Sequence, residues 1–296
     1  MRPNISIFSA IILVVSTAAR AQPKAPQPPA DVAWETNLTY GKAGDVELKC
    51  NLAKPAKHDE NAKPIPAIVV IHGGGWAAGH RDHLNAVTWQ AAQRGYLAIT
   101  ISYRFAPKHL FPAQVEDAKC AVRYLRANAK KLNIDADHIG ATGVSAGAHL
   151  SMMLATLDKE DGMEGDGGHA DHSSKVQAAV SFVGPTDLAA DDLPPTTSGI
   201  LKNFLGGDVK EKLDAAKKAS PLTYVNKGDA PMILFQGTVD PLIPNTQAYR
   251  MAEAMTKAGV KGRVELVLGA GHGWGGKEME RTIEGMFKFF DETLKR

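Results

Sequence analysis

The chain has 296 residues, 44% hydrophobic and 22% charged, with 34 basic and 32 acidic side chains for a formal net charge of +2. That is a globular composition, long enough for one large α/β domain or two small ones with a buried core. A charge this close to balance supplies no global field to gather nucleic acid or an anionic membrane, and two cysteines are too few for a zinc site built on thiolates.

In chain order the first feature is a targeting signal. Arg2 supplies a positive start, "ISIFSAIILVVSTAA" an apolar run, and Ala19-Arg20-Ala21 a small-x-small cleavage site, so residues 1–21 read as a secretory signal removed after Ala21. The apolar run is shorter than the about 20 residues a spanning helix needs, and no cysteine near the cut suggests a lipid anchor. The expected protein is therefore secreted or periplasmic, with no stable membrane insertion after cleavage. Removal of 1–21 takes Arg2 and Arg20 and no acid, which leaves 32 basic and 32 acidic side chains and zero formal charge.

Residues 22–33, "QPKAPQPPADVA", are proline-rich and predict an extended, poorly ordered leader to a domain over 34–296. Apolar runs then recur at 46–52, 67–71, 97–102, 138–143, 178–183, 232–237 and 263–268. The two-sided apolar character of 67–71 and 97–102 predicts interior strands of a mostly parallel sheet. Between them Val115, Ala118, Val122, Leu125, Ala129 and Leu132 share one helical face, as do Ile283, Met286, Phe287, Phe290 and Leu294. The alternation predicts a single doubly wound α/β domain with helices on both sheet faces. Export makes a disulfide chemically possible between Cys50, in a strand pattern, and Cys120, in a helix pattern; a bridge and two buried thiols both remain open. Residues 158–174 are acidic and glycine-rich without the ligand spacing of a calcium loop, so they read as a solvated insertion. Residues 186–210, with two prolines and a short apolar helix, predict a small lid.

The chemistry concentrates at "HIGATGVSAGAHLS", residues 138–151. A G-x-S-x-G pentapeptide between a strand and a helix is the context in which a serine is displayed as a nucleophile. Gly143 and Gly147 let the turn close, and Ser145 gains the positive end of the following helix. A serine hydroxyl needs a base and an acid to orient it, in the chain order serine, acid, histidine. His272 is the one histidine after residue 172 and lies in the glycine-rich "LGAGHGWGG". Asp240, just past the strand "MILFQG", is the preferred acid, with Asp187 in "GPTDL" as competitor and otherwise a loop brace or helix cap. Gly73, Gly74 and Gly75, after "IVVI", supply N–H groups for an oxyanion hole together with Ala146, and His72 braces that loop. Trp76 and Trp274 are candidates for the pocket mouth, or for core and rim packing. Phe204 and Leu205 could wall the lid or simply dock its helix.

Together "HGGGW", "SYRFAPKHLFPAQVEDAKCAVRYLRANA", "GVSAG", "GTVDPLIP" and "GAGHGW" make residues 46–296 resemble the α/β-hydrolase superfamily. More narrowly they resemble the branch of hormone-sensitive-lipase-type carboxylesterases and bacterial acetylxylan and feruloyl esterases. The resemblance implies Ser145, Asp240 and His272 as a triad, the 73–75 loop with Ala146 as the oxyanion hole, and a small-molecule or carbohydrate ester as substrate, with no cofactor or metal. Two departures lean toward carbohydrate esterases: the elbow reads G-V-S-A-G where the lipase-type branch more often has an acid before the serine, and little chain is left for a long N-terminal cap. A prolyl-peptidase-type enzyme and a non-catalytic binding protein are the alternatives; the first usually carries a large extra domain, the second a broken triad. If His272 is the base, it acts only as the neutral imidazole, so activity should be lost in acid; a pH–rate profile without an acid limb would count against it.

Overall fold

β1 (Val32–Ala43) and β2 (Val46–Pro55) form an antiparallel hairpin at one end of an eight-stranded sheet. The computed structural model describes residues 27–59 and 61–295; the expected signal, 1–21, and the first part of the leader lie outside them. The leader's last residues are not loose. Val32 pairs with Pro55 and Ala33 with Lys54, because Val32 packs with Ala53, Trp89 and Ala92 in a small apolar cluster. β1 itself was not foreseen, since register shifts between Glu35 and Leu38 and between Thr39 and Gly41 break the period-2 alternation by which a strand is read.

The remaining elements follow in alternation: β3 (Ile65–Ile71), α1 (Asn85–Gln93), β4 (Leu97–Ile101), α2 (Ala113–Ala127), α3 (Ala129–Leu132), β5 (Ile134–Val144), α4 (Ala146–Thr156), β6 (Ala178–Phe182), α5 (Pro195–Leu205), α6 (Leu213–Lys218), β7 (Met232–Gly237), α7 (Asn245–Ala258), β8 (Gly262–Val267) and α8 (Gly276–Leu294). The strand order is β1-β2-β4-β3-β5-β6-β7-β8, with every pair from β4-β3 onward parallel. The sheet separates two cores. Val69, Ile71, Ala141 and Leu234 face α2, α4 and α7, while Ile68, Val70, Val180 and Phe235 face α1 and α8. Parallel connection returns each helix across the sheet, so the loops that carry residues 72–80, 145, 183–194, 238–244 and 268–275 all leave the carboxyl ends of their strands.

Two further expectations are corrected. The predicted helical face running to Leu132 is broken at Asn128, whose Nδ2 donates to the Tyr124 carbonyl (2.8 Å), and α3 is a separate turn closed by Asn133 at φ 53°. The 158–174 segment is docked on α2 rather than free in solvent. Glu164 pairs with Lys119 (2.8 Å) and Arg123 (2.5 Å), whose side chains are 1% and 2% exposed, and the carbonyls of Gly162 and Gly168 accept from the same two cations. Cations buried on α2 require such partners, and the acidic loop provides them.

Cys50 and Cys120 are both buried free thiols. Burial pushes the first up to about 12 and the second to about 11, against a weaker opposing pull from Arg81 and Arg123 respectively, so both are protonated and unreactive at neutral pH. An aromatic disulfide reagent should therefore titrate neither thiol in the folded protein and both after denaturation without reductant; two thiols still masked after denaturation would establish a bridge instead.

Candidate active site

Ser145 stands between the end of β5 and the start of α4 at φ 55°, ψ −119°, a backbone conformation that a residue with a Cβ holds only when its surroundings impose it. The surroundings are specific. Its N–H donates to the Phe182 carbonyl at the end of β6 (2.8 Å). A Cβ on Gly147 would stand 2.0 Å from the Ile71 carbonyl oxygen, and one on Gly143 would stand 2.4 Å from the Gly147 backbone. The turn closes only because neither residue has a side chain. Ser145 is thus lifted over the sheet with the first turn of α4 behind it.

His272 reaches back from the loop between β8 and α8. Its Nε2 is 2.8 Å from Ser145 Oγ and its Nδ1 is 2.8 Å from Asp240 Oδ2. The Asp240 side chain is fully buried. Its Oδ1 accepts from the N–H groups of Leu242 (2.8 Å) and Ile243 (3.0 Å), and Gln236 Nε2 donates to Oδ2 (3.2 Å). Burial by itself would raise this carboxyl; the His272 hydrogen bond and the two backbone N–H bonds outweigh it and hold the group below the usual carboxylate range. A permanent carboxylate therefore faces one ring nitrogen and the serine hydroxyl faces the other. Asp187, the competing acid, is turned to its own loop: its Oδ1 accepts from Ala189 N–H, and Gln247 binds its backbone N–H and carbonyl.

The glycine loop lies against the nucleophile. A Cβ on Gly73 would stand 2.8 Å from the Val144 carbonyl oxygen and 3.3 Å from Ser145 Cβ, so only bare backbone can approach there. Among the described residues the N–H groups of Gly73, Gly74 and Gly75 donate to no protein acceptor, and that of Ala146 opens α4, outside the helical ladder. Gly75 turns toward the insertion, where a Cβ would meet Ile200 at 2.9 Å. His72 Nδ1 lies 2.7 Å from the Gly73 carbonyl, its ring stacks on Tyr103 (4.5 Å), and Tyr103 donates its hydroxyl to the His72 carbonyl (3.1 Å). Burial drives the His72 imidazole down to about 4, with the Gly73 bond opposing weakly, so it serves as a neutral brace.

The aromatic pocket candidates divide. Trp76 is 3%, Phe204 0% and Leu205 5% exposed, and Trp76 stacks on Phe204 at 4.2 Å. These three pack the insertion onto the main core, as large apolar groups at helical spacing commonly do, and do not line an open mouth. Trp274 does line a cavity, an apolar space of about 120 Å3 beside the His272 loop bounded by Val87, Val144, Phe182, Val183, Met279 and neighbouring residues. Sequence reasoning missed two buried polar residues: Gln236 near the end of apolar β7, which donates to Asp240, and His149 inside apolar α4, whose Nδ1 accepts from Trp76 Nε1–H (3.2 Å). The polar residue in an otherwise apolar run was the available signal in both cases.

A family described as BD-FAE matches residues 52–255 of this chain. The chain is similar to the esterase LipC of Mycobacterium tuberculosis, with 30% identity over 227 residues that make up 74% of this chain and 55% of LipC. It is similar also to the esterase LipQ of the same organism, with 27% identity over 77% of this chain and 54% of LipQ. The chain thus spans about half the length of these curated relatives. Among solved structures, a truncated carbohydrate esterase from gut microbiota superposes with a TM-score of 0.78 and 27% identity, covering 91% of this chain and 99% of that one. The propionate-bound esterase Est2 of Thermogutta terrifontis gives 0.74 and 30%, covering 89% and 94%.

The elbow's packing can be tested without assaying chemistry. Gly147→Ala should lower Tm by several degrees or prevent soluble folding, because no rotamer removes a Cβ from a backbone oxygen. Gly199→Ala in α5, where an added Cβ meets no atom within 4 Å, should leave Tm unchanged or raise it, by up to about 1 kcal/mol of stability. Equal Tm for the two variants would contradict this packing.

Proposed function

Because this chain belongs to the BD-FAE family and has the α/β-hydrolase fold, we propose that it is a serine carboxylesterase that removes short acyl groups, acetyl foremost, from carbohydrate or other polar alcohols. The observation that carries the reading is the continuous hydrogen-bonded chain from Ser145 through His272 to buried Asp240. His272 Nε2 takes the hydroxyl proton as Ser145 Oγ attacks the ester carbonyl. Charge developing on the carbonyl oxygen is met by the N–H groups of the 73–75 loop and Ala146, which are positioned before reaction and need no reorganisation. Asp240, already ionised, stabilises the imidazolium. The proton then passes to the leaving alcohol, its C–O bond breaks, and water repeats the cycle on the acyl-enzyme to release the acid.

The substrate class rests on three supports. The insertion is packed down on the core through Phe204 and Leu205 rather than presenting them to a long acyl chain. The apolar cavity lined by Gly273 and Trp274, the two residues after His272, is about 120 Å3, a size that holds one small apolar group. The structural relatives include a carbohydrate esterase and an esterase with bound propionate. Export, the further part of the proposal, is supported by the signal pattern of residues 1–21.

Acetate release from acetylated xylan and hydrolysis of p-nitrophenyl acetate, butyrate and octanoate by residues 22–296 test the reading. Activity should decline with chain length, and Ser145→Ala should lose on the order of 10^4-fold or more in kcat. Activity on the small esters without acetate release from xylan would remove the polymer from the proposal, and undiminished turnover by Ser145→Ala would overturn it. Asp240→Asn should cost about 10^4-fold in kcat, because an amide cannot hold the required imidazole tautomer; near-normal turnover would return the acid's role to another carboxylate.

A further inference from the structure

We propose that His149 is a positioning residue that sets the two halves of the oxyanion hole against each other, by accepting the indole N–H of Trp76 from one turn behind the nucleophile. The inference rests on the triad reading above and adds a residue that reading does not use. Glycines 73–75 have no side chains with which to anchor themselves, so the position of their N–H groups depends on the residues at either end of the run. His72 holds the first end. Trp76 holds the second, and it does so in a demanding backbone state: Gly74, Gly75 and Trp76 have φ of 121°, 58° and 57° in succession, a run that persists only when surrounding contacts over-determine it.

Those contacts converge on His149. Trp76 Nε1–H donates to His149 Nδ1 (3.2 Å), and His149 Nε2–H donates to the Ala219 carbonyl (2.6 Å). Both ring nitrogens are used, which specifies the neutral Nε2–H tautomer; burial drives the imidazole down to about 4, against the Ala219 bond, and so keeps the Nδ1 lone pair available. The indole stands edge-on to His149 with centroids 5.0 Å apart and stacks on Phe204, and the Trp76 carbonyl accepts from Ala106 N–H (3.0 Å). His149 is completely buried on α4, the helix whose first residue, Ala146, supplies the other oxyanion donor. One imidazole therefore ties the helix bearing one donor to the loop bearing the rest, and its Ala219 bond ties both to the end of α6.

A histidine that merely filled the core would lower stability when replaced, whichever of its bonds was lost. A positioning residue makes the two bonds unequal. His149→Asn keeps an acceptor near Nδ1 and loses the Ala219 bond; His149→Gln keeps a donor near Nε2 and loses the Trp76 bond. Trp76→Phe retains the stacking surface and removes the donor.

The experiment measures kcat, KM and Tm on p-nitrophenyl acetate for these variants, with Ser145→Ala alongside. His149→Gln and Trp76→Phe should lower kcat about tenfold to a hundredfold, the scale of an ångström's misplacement at a reacting centre, with KM changed by less than about threefold. His149→Asn should rescue most of the kcat lost by His149→Gln although its Tm falls comparably. Equal kcat for the Asn and Gln variants, or losses that follow Tm alone, would overturn the proposal. Should neither His149 variant fold, a normal kcat in Trp76→Phe overturns it and a reduced kcat at unchanged KM supports it. Undiminished turnover by Ser145→Ala would instead bring down the triad reading on which it depends.

Discussion

The Ile71 carbonyl oxygen lies 2.0 Å from the place a side chain on Gly147 would occupy, and the rest of the site depends on that closeness. β3 and β5 are neighbours in the sheet, so the loop leaving one and the elbow leaving the other share an edge. Because α4 can press its first turn onto the end of β3, Ser145 rises over the sheet and Gly73 slides beside it. A methyl group at either glycine would force apart the nucleophile and the backbone donors. The catalytic geometry is in this sense a packing consequence, with close-packed backbone leaving no latitude for adjustment.

Around this contact Asp240, His149 and the Nδ1 of His72 each have a defined partner, while His72 Nε2 is buried without one among the described residues. Asp240 is desolvated yet remains ionised because two backbone N–H groups, Gln236 and His272 converge on its oxygens. His72 and His149 are kept neutral by burial and act through directional hydrogen bonds rather than charge. The insertion joins the same framework: Thr197 donates to the Leu242 carbonyl (2.5 Å) in the Asp240 loop, and Phe204 stacks on Trp76. Helix α5 is thereby fastened at both the acid loop and the oxyanion loop.

Much of this is legible in the sequence. Strands such as "AIVVI" and "MILFQG" announced themselves as short apolar runs bounded by glycine and polar turns, and the spacing of Ser145, Asp240 and His272 placed all three just after strand ends. β1 was not legible because its two register shifts destroy alternation. The helix break at Asn128 was hidden because the apolar face continues through it. The acids of 158–174 looked solvated because their partners, Lys119 and Arg123, lie some forty residues earlier in the chain.

By itself the sequence determined the order of elements and the loops that carry the reactive groups, since hydrophobic period and glycine turns are local properties that act over a few residues. Only the tertiary structure decided which groups meet. It turned Trp76, Phe204 and Leu205 into the core and left Trp274 at a cavity, left Cys50 and Cys120 as separate thiols, chose Asp240 over Asp187, and joined Trp76, His149 and Ala219. Each of these depends on which distant surfaces are pressed together and on hydrogen-bond directions that hold only within tenths of an ångström, and such information is absent from local pattern.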